Sequence, residues 1–230
     1  MDPVVILIAK YASVIAHYSP RHIFTSKLLA SVLPSKLKIH LERALHSLVN
    51  HLIIVSLECD PQHVGYYLLQ DTAAVLDRNV DQIFAFHTRL LKATLYISTP
   101  ESSSREMHEC VALAIESESK DTALHCKELC KHYFKCKKSK YNEKVFCFAI
   151  ESCIQCCKAD EDVSAAYSFF CIARDCSGLF SWISIPISDA KSKLLYALTC
   201  IEGCTEYSLN EMISDILREL AVTKEKLVSS

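Results

Sequence analysis

Glycine is nearly missing from this chain: Gly65, Gly178 and Gly203 are the only three among 230 residues. At the average share of about 7%, roughly sixteen would be present. Folds that grip phosphates or dinucleotides need glycine, because a residue without a Cβ lets the backbone turn tightly and approach the ligand. The three glycines stand far apart, so no phosphate loop is encoded, and no serine lies in a Gly-x-Ser-x-Gly elbow. Long apolar runs are also lacking. Residues 1–10 are apolar but carry Asp2 and Lys10 and no basic lead, which argues against a signal peptide. Residues 44–57 are interrupted by His46, Asn50 and His51. Neither run approaches the ~18 uninterrupted apolar residues of a membrane span, and the expectation is a soluble intracellular protein. Excess charge of either sign is absent as well. A formal net charge of -2 makes a globally basic nucleic-acid binder improbable while leaving room for a local basic patch.

What is present is a globular composition, 50% hydrophobic and 23% charged, in a length that suits one large domain or two small ones. Thirteen cysteines stand out. Their odd number, the lack of a secretory leader and their placement inside helical patterns argue against a disulfide framework. In a reducing compartment cysteine packs as a small, soft hydrophobe.

The rest reads as short amphipathic helices separated by polar breaks, about eleven of them. Asp2-Pro3 is a cap followed by a first-turn proline. Ser19-Pro20 ends the first helix and starts a second that runs to Leu33. Pro34-Ser35 opens a third, with Leu37, Leu41, Ala44, Leu45, Leu48, Leu52 and Val55 on one face at the 3–4 spacing of a buried stripe. Asp60-Pro61 opens a fourth that runs to about residue 77, and a fifth spans 82–97. Residues 98–104 form the longest polar stretch and the expected flexible joint of a single domain covering 1–230. Helices are expected at about 105–117, 121–136, 142–157, 162–176, 189–202 and 207–226, with an irregular loop at 177–188. No stretch alternates convincingly enough to predict a strand.

Helices of about fifteen residues joined by short breaks imply antiparallel neighbours. Ala166, Phe170 and Ala173 are spaced +4 and +3, and Ala190, Leu194 and Ala197 repeat that spacing. In tetratricopeptide (TPR) repeats the second helix has this small–large–small form, because small residues let helices approach and the large one fills the gap. The same spacing also suits a generic helical bundle. The predicted class is all-α, a TPR-like α-solenoid of stacked antiparallel helix pairs, whose groove is the usual seat of an extended peptide.

The order of segments from Ser19-Pro20 through Val32-Leu33-Pro34, the paired helices that follow, and then Ala114-Ile115 and His125-Cys126 resembles the TPR subunit of the cohesin loader over residues 5–175. Members of that family are longer than this chain. The resemblance implies a superhelix wrapped around an extended N-terminal segment of the large cohesin-loader subunit, acting on chromatin in the nucleus; without it the expected location is the cytoplasm.

Two clusters carry candidate chemistry. His125, Cys126, Cys130, His132 and Cys136 are the densest set of metal-ligand types, but at 100° per residue Cys126 and Cys130 share one face while His132 lies about 200° and Cys136 about 240° from Cys130. Cys153 and Cys157 are also i,i+4 partners, so two facing helices could build a four-cysteine zinc site; buried structural cysteines are the favoured reading, with no cofactor expected. The second cluster is basic. Lys127, Lys131, Lys135, Lys137, Lys138, Lys140 and Lys144 place seven lysines within eighteen residues, offset only by Glu128 and Glu143 and interleaved with Tyr133, Phe134 and Tyr141. Such a patch meets phosphates or an acidic partner, or is a solvated face whose stems cover apolar neighbours. Trp182 is a candidate exposed anchor for a partner. The histidines and carboxylates form no catalytic constellation. The expected function is therefore non-catalytic: a scaffold holding a segment of a larger protein. The alternative is a helical RNA- or ribosome-associated factor acting through 127–144. An indirect association with DNA or RNA is expected beside the protein partner, and membrane contact is not expected.

Overall fold

The computed structural model describes residues 1–19, 22–57, 82–119, 122–158, 163–177 and 187–205, together with Arg218, Ala221, Val222 and Glu225. The chain is mostly helical, with ten α-helices among the described residues and a small three-stranded sheet. It divides into two compact units, Met1–Glu118 and Ser119–Ser230.

The first unit is organised around α1 (Pro3–Tyr18). Asp2 caps it, its carboxylate accepting from the Val4 amide at 2.9 Å, with Pro3 in the first turn. Val5, Ile8, Ala9, Ala12, Ser13, Val14, Ile15 and Ala16 are all buried. A helix buried round so much of its circumference belongs at the centre of a core, and α1 indeed touches most other elements of the unit. These are β1 (Ile23–Thr25), α2 (Ser26–Val32), α4 (Leu41–Asn50), α5 (Arg89–Ile97) and α6 (Glu101–Glu118). A single turn, α3 (Ser35–Lys38), precedes α4.

The sheet is the main departure from the all-α expectation. β2 (Ile54–Leu57) and β3 (Ile83–Phe86) complete it with β1 in the order β1-β3-β2, both pairs antiparallel. Phe24 opposes Phe84 and Ser56 opposes Phe84 from the other side, which sets the register. The rings of Phe24 and Phe84 stack at 5.6 Å, and Phe86 lies 5.8 Å from Phe24. Cross-strand aromatic pairs of this kind stabilise a sheet face. Strands of three and four residues are too short to display a period of two, so their apolar runs pass for helix faces.

Three expected helices are corrected accordingly. The helix read over 34–55 is interrupted at Ile39 and His40, ends at Asn50 and gives way to β2. Leu52, assigned to its buried face, is 63% exposed. The helix read over 82–97 begins as β3 and becomes helical only at Arg89, behind a Thr88 cap that accepts from the Leu91 amide. Ile23–Thr25 likewise interrupts the stretch read as helical from residue 20 to Leu33. Within 98–104, helix α6 has already begun at Glu101, inside the first unit. The expected fourth helix at about 61–77 and the loop at 178–186 lie outside the described residues, as does most of the expected helix at 207–226.

The second unit is helical throughout its described residues. A 3-10 turn (Thr122–His125) leads into α7 (Cys126–Cys136), and another (Ser139–Tyr141) into α8 (Asn142–Lys158); α9 (Val163–Ser177) and α10 (Ile187–Thr205) follow. α8 packs against α7, α9 and α10, and α9 against α10. Ala166, Phe170, Ala173, Ala190, Leu194 and Ala197 are all buried, so the small–large–small stripes of α9 and α10 lie in helix packing.

Candidate functional site

Among the described residues an open groove runs between α8 and α10. Cys147, Ile150, Glu151 and Ile154 line it from α8, and Ser192, Lys193 and Tyr196 from α10, enclosing about 490 Å³. Both sets follow the i, i+3, i+4 spacing that places side chains on one helix face. Ile150 and Ile154 are buried and form an apolar floor, while Tyr196 remains 55% exposed at the rim. Glu151 and Lys193 supply one charge of each sign. The Cys147 thiol is pushed up by burial, opposed by the Lys193 ammonium and reinforced by Glu143, and so stays protonated and apolar. An apolar strip with a polar rim can seat a short amphipathic segment. Sequence reasoning missed this groove. Ile150, Ile154 and Tyr196 carry ordinary helical periodicity, and nothing in a single helix marks which part of its stripe a neighbour leaves uncovered.

The lysine cluster separates into two groups. Lys127 and Lys131 on α7 are half-buried, and Lys131 Nζ lies 5.4 Å from the centre of the Phe169 ring on α9. The Lys131 stem thus covers apolar surface. Lys135, Lys137 and Lys140 are exposed around the turn between α7 and α8, with Lys138 and Lys144 half-buried beside them. Lys140 Nζ sits 4.5 Å from the Tyr141 ring and Lys144 Nζ 5.3 Å from the Tyr133 ring. Those two rings are themselves 4.6 Å apart. The turn thus gathers the C-terminal end of α7 and the start of α8 onto one aromatic pair. Phe134, beside Lys135, is 42% exposed. Trp182 lies outside the described residues.

The cysteines are mostly interior. Cys126, Cys130 and Cys153 are buried and Cys157 is half-buried. Cys126 Sγ donates to Gln155 Oε1 at 3.1 Å, and Gln155 Nε2 donates to the Ala123 carbonyl at 3.0 Å, pinning the entry turn of α7 to α8. Burial raises the thiols of Cys126 and Cys130, and the Cys157 thiol, followed by burial, raises that of Cys153. The Cys176 thiol is pushed up to about 11 by burial and by Asp175. Among the described residues no three side chains of His, Cys, Asp or Glu converge in a way that could hold a metal ion.

One polar network in the first unit was not legible in the sequence. Lys92 on α5 is only 7% exposed, and its Nζ lies 2.6 Å from His22 Nδ1. His22 adopts a left-handed φ of 61°. Burial, then the Lys92 charge and Arg89, hold His22 below its ordinary value, and burial and Arg89 hold Lys92 below its own. His22 Nδ1 thus meets both the Lys92 Nζ and, at 3.3 Å, the Ala16 carbonyl. Nearby, the His17 and Tyr96 rings stack at 3.8 Å, and the Tyr96 hydroxyl is 3.0 Å from His108 Nε2. This network joins α1, α5 and α6.

No family model, curated protein or solved structure matches the chain. Among the described residues no helix is long and apolar enough to cross a membrane.

Proposed function

We propose that the chain is a non-catalytic interaction module whose second unit receives a segment of a larger protein. The observation that carries this reading is the α8–α10 groove: an apolar floor of Ile150 and Ile154, a protruding Tyr196, and Glu151 and Lys193 at the edge. On this reading α7–α8 and α9–α10 act as two TPR-like helix pairs, and the stripe Ala166, Phe170, Ala173 with its counterpart Ala190, Leu194, Ala197 keeps them close enough to be stiff. A stiff groove reduces the ordering cost on its own side of the contact, so affinity comes from a few apolar anchors with charge at the rim. The resemblance to the TPR subunit of the cohesin loader assigns the loader's large subunit as the partner, with a nuclear location and an indirect association with DNA.

The test is site-directed. A photoreactive side chain placed at exposed Ser192 is expected to trap one protein partner, with the cross-link mapping to a contiguous segment of it. Tyr196→Ala is expected to weaken that capture about tenfold or more, since an aromatic anchor in an interface carries roughly 2 kcal/mol or more. Capture that is indifferent to Tyr196→Ala removes the groove from the interface. Recovery of a partner other than the large loader subunit withdraws the loader assignment while leaving the groove reading in place.

A further inference from the structure

We propose that the turn joining α7 to α8 is a second, separate binding site, and that its ligand is single-stranded nucleic acid. The case begins with charge. Within residues 135–144 lie Lys135, Lys137, Lys138, Lys140 and Lys144 against one carboxylate, Glu143, while the whole chain carries a net charge of -2. A local excess of four positive charges on a near-neutral molecule is a concentrated field, and phosphate backbones respond to it by releasing condensed counterions.

Geometry makes the excess usable. Lys137 closes α7 with a left-handed φ of 51°, turning the chain sharply so that Lys138 and the 3-10 turn Ser139–Tyr141 lead directly into α8. Tyr133 from α7 and Tyr141 from the turn pack together beneath this corner, buried to within a few per cent. Their rings carry the ammonium groups of Lys144 and Lys140 respectively. A lysine leaning on an aromatic face keeps its charge and loses part of its rotational freedom before any ligand arrives. Lys135 and Lys137 at the end of α7, and Lys140 itself, are exposed.

The class of macromolecule follows from what lies beside the lysines. Phe134 is 42% exposed although it belongs to a helix with a well-buried apolar face. Lys131 precedes Phe134 by one helical turn and Lys135 and Lys137 follow it, so an exposed ring stands in a lysine-rich stretch, a combination that suits unpaired bases, which stack on a ring while their phosphates are neutralised. A duplex hides its base faces, and an acidic peptide has none to offer. Lysines lack the planar fork that reads a base edge or grips a carboxylate in two places, so the site follows the backbone and discriminates little by sequence.

The experiment measures binding of the full chain to fluorescent oligo-uridine and oligo-deoxythymidine of about ten nucleotides, the span that one compact domain covers. A duplex of similar length and an oligo-glutamate peptide are run beside them. Both single strands, or the RNA alone, are expected to bind in low salt, with the log of affinity falling linearly against log salt at about -0.7 per neutralised phosphate. The variant Lys135→Gln/Lys137→Gln/Lys140→Gln is expected to lose at least tenfold in affinity and about two units of that slope, and Phe134→Ala about tenfold with the slope unchanged. The loss is expected to be the same with Tyr196→Ala in the background, because that residue lies on the other helix pair. Far-UV circular dichroism of each variant shows that helix content is retained. The proposal is overturned by failure of both single strands to bind in low salt, by equal or tighter binding of the duplex or of oligo-glutamate, or by affinity that the triple variant leaves intact.

Discussion

At the scale of single residues, scarcity of glycine leaves its mark on backbone conformation. Among the described residues three that are not glycine, His22, Leu52 and Lys137, sit at φ values of 61°, 55° and 51°. Leu52 follows the last turn of α4 in a Schellman arrangement: its amide donates to the Val49 carbonyl and the Ile53 amide to the Leu48 carbonyl, each at 2.9 Å. That position favours glycine, because a Cβ in the left-handed region costs about 1–2 kcal/mol. The Leu52 side chain is largely exposed and offers little in return. Leu52→Gly is therefore expected to stabilise the protein by about 1 kcal/mol, measured as a raised midpoint in urea without a change in slope. His22 makes a prediction in pH. Its folded value lies below the ordinary 6.5, so the folded state binds the proton less readily than the unfolded chain. The stability tied to the neutral imidazole is complete above about pH 6.5 and is lost as pH falls toward the folded value. Asparagine tolerates a positive φ and offers an acceptor to Lys92 without titrating. His22→Asn is expected to show a smaller loss of urea stability than the unaltered protein between about pH 7 and pH 5; an equal loss would assign the pH dependence to other groups.

At the scale of elements, the second unit's helices were legible because their stripes are long. The spacing of Ala166, Phe170 and Ala173 marked an inward face, and the expected bounds of 162–176 differ by a residue from Val163–Ser177. Phe170 is wholly buried, so Phe170→Ala is expected to cost about 3–5 kcal/mol of unfolding free energy. Phe134→Ala on the outer side of α7 should stay within about 0.5 kcal/mol of the unaltered protein. Chemical denaturation monitored by circular dichroism separates the two. The strands escaped notice for a physical reason. Ile54–Leu57 and Ile83–Phe86 acquire their identity from a partner strand some thirty residues away in the chain, whereas a helix makes its hydrogen bonds four residues back. The β-branched Ile53, Ile54 and Val55 were the one local signal that favoured a strand, and it stood at the end of a strong helical stripe that outweighed it.

At the scale of the whole molecule, the chain holds two cores. Unit Met1–Glu118 is built on α1 with a sheet, and unit Ser119–Ser230 on α8 without one among its described residues. Each has the length of an ordinary domain, so residues 1–118 and 119–230 produced as separate polypeptides are each expected to be helical and to unfold cooperatively. A half that stays unfolded until the other is supplied would show that the two cores are interdependent. Sequence alone settled the helical character, the capping of α1 by Asp2 and Pro3 and the inward stripes of α9 and α10, since each rests on interactions within a few residues of chain. Only the tertiary structure decided the three-stranded sheet, the Lys92–His22 contact, the open strip between α8 and α10 and the separation of Lys131, lying over Phe169, from the lysines of the turn. All of these depend on which distant side chain arrives alongside, and hydrophobic periodicity records that a face is buried without recording against what.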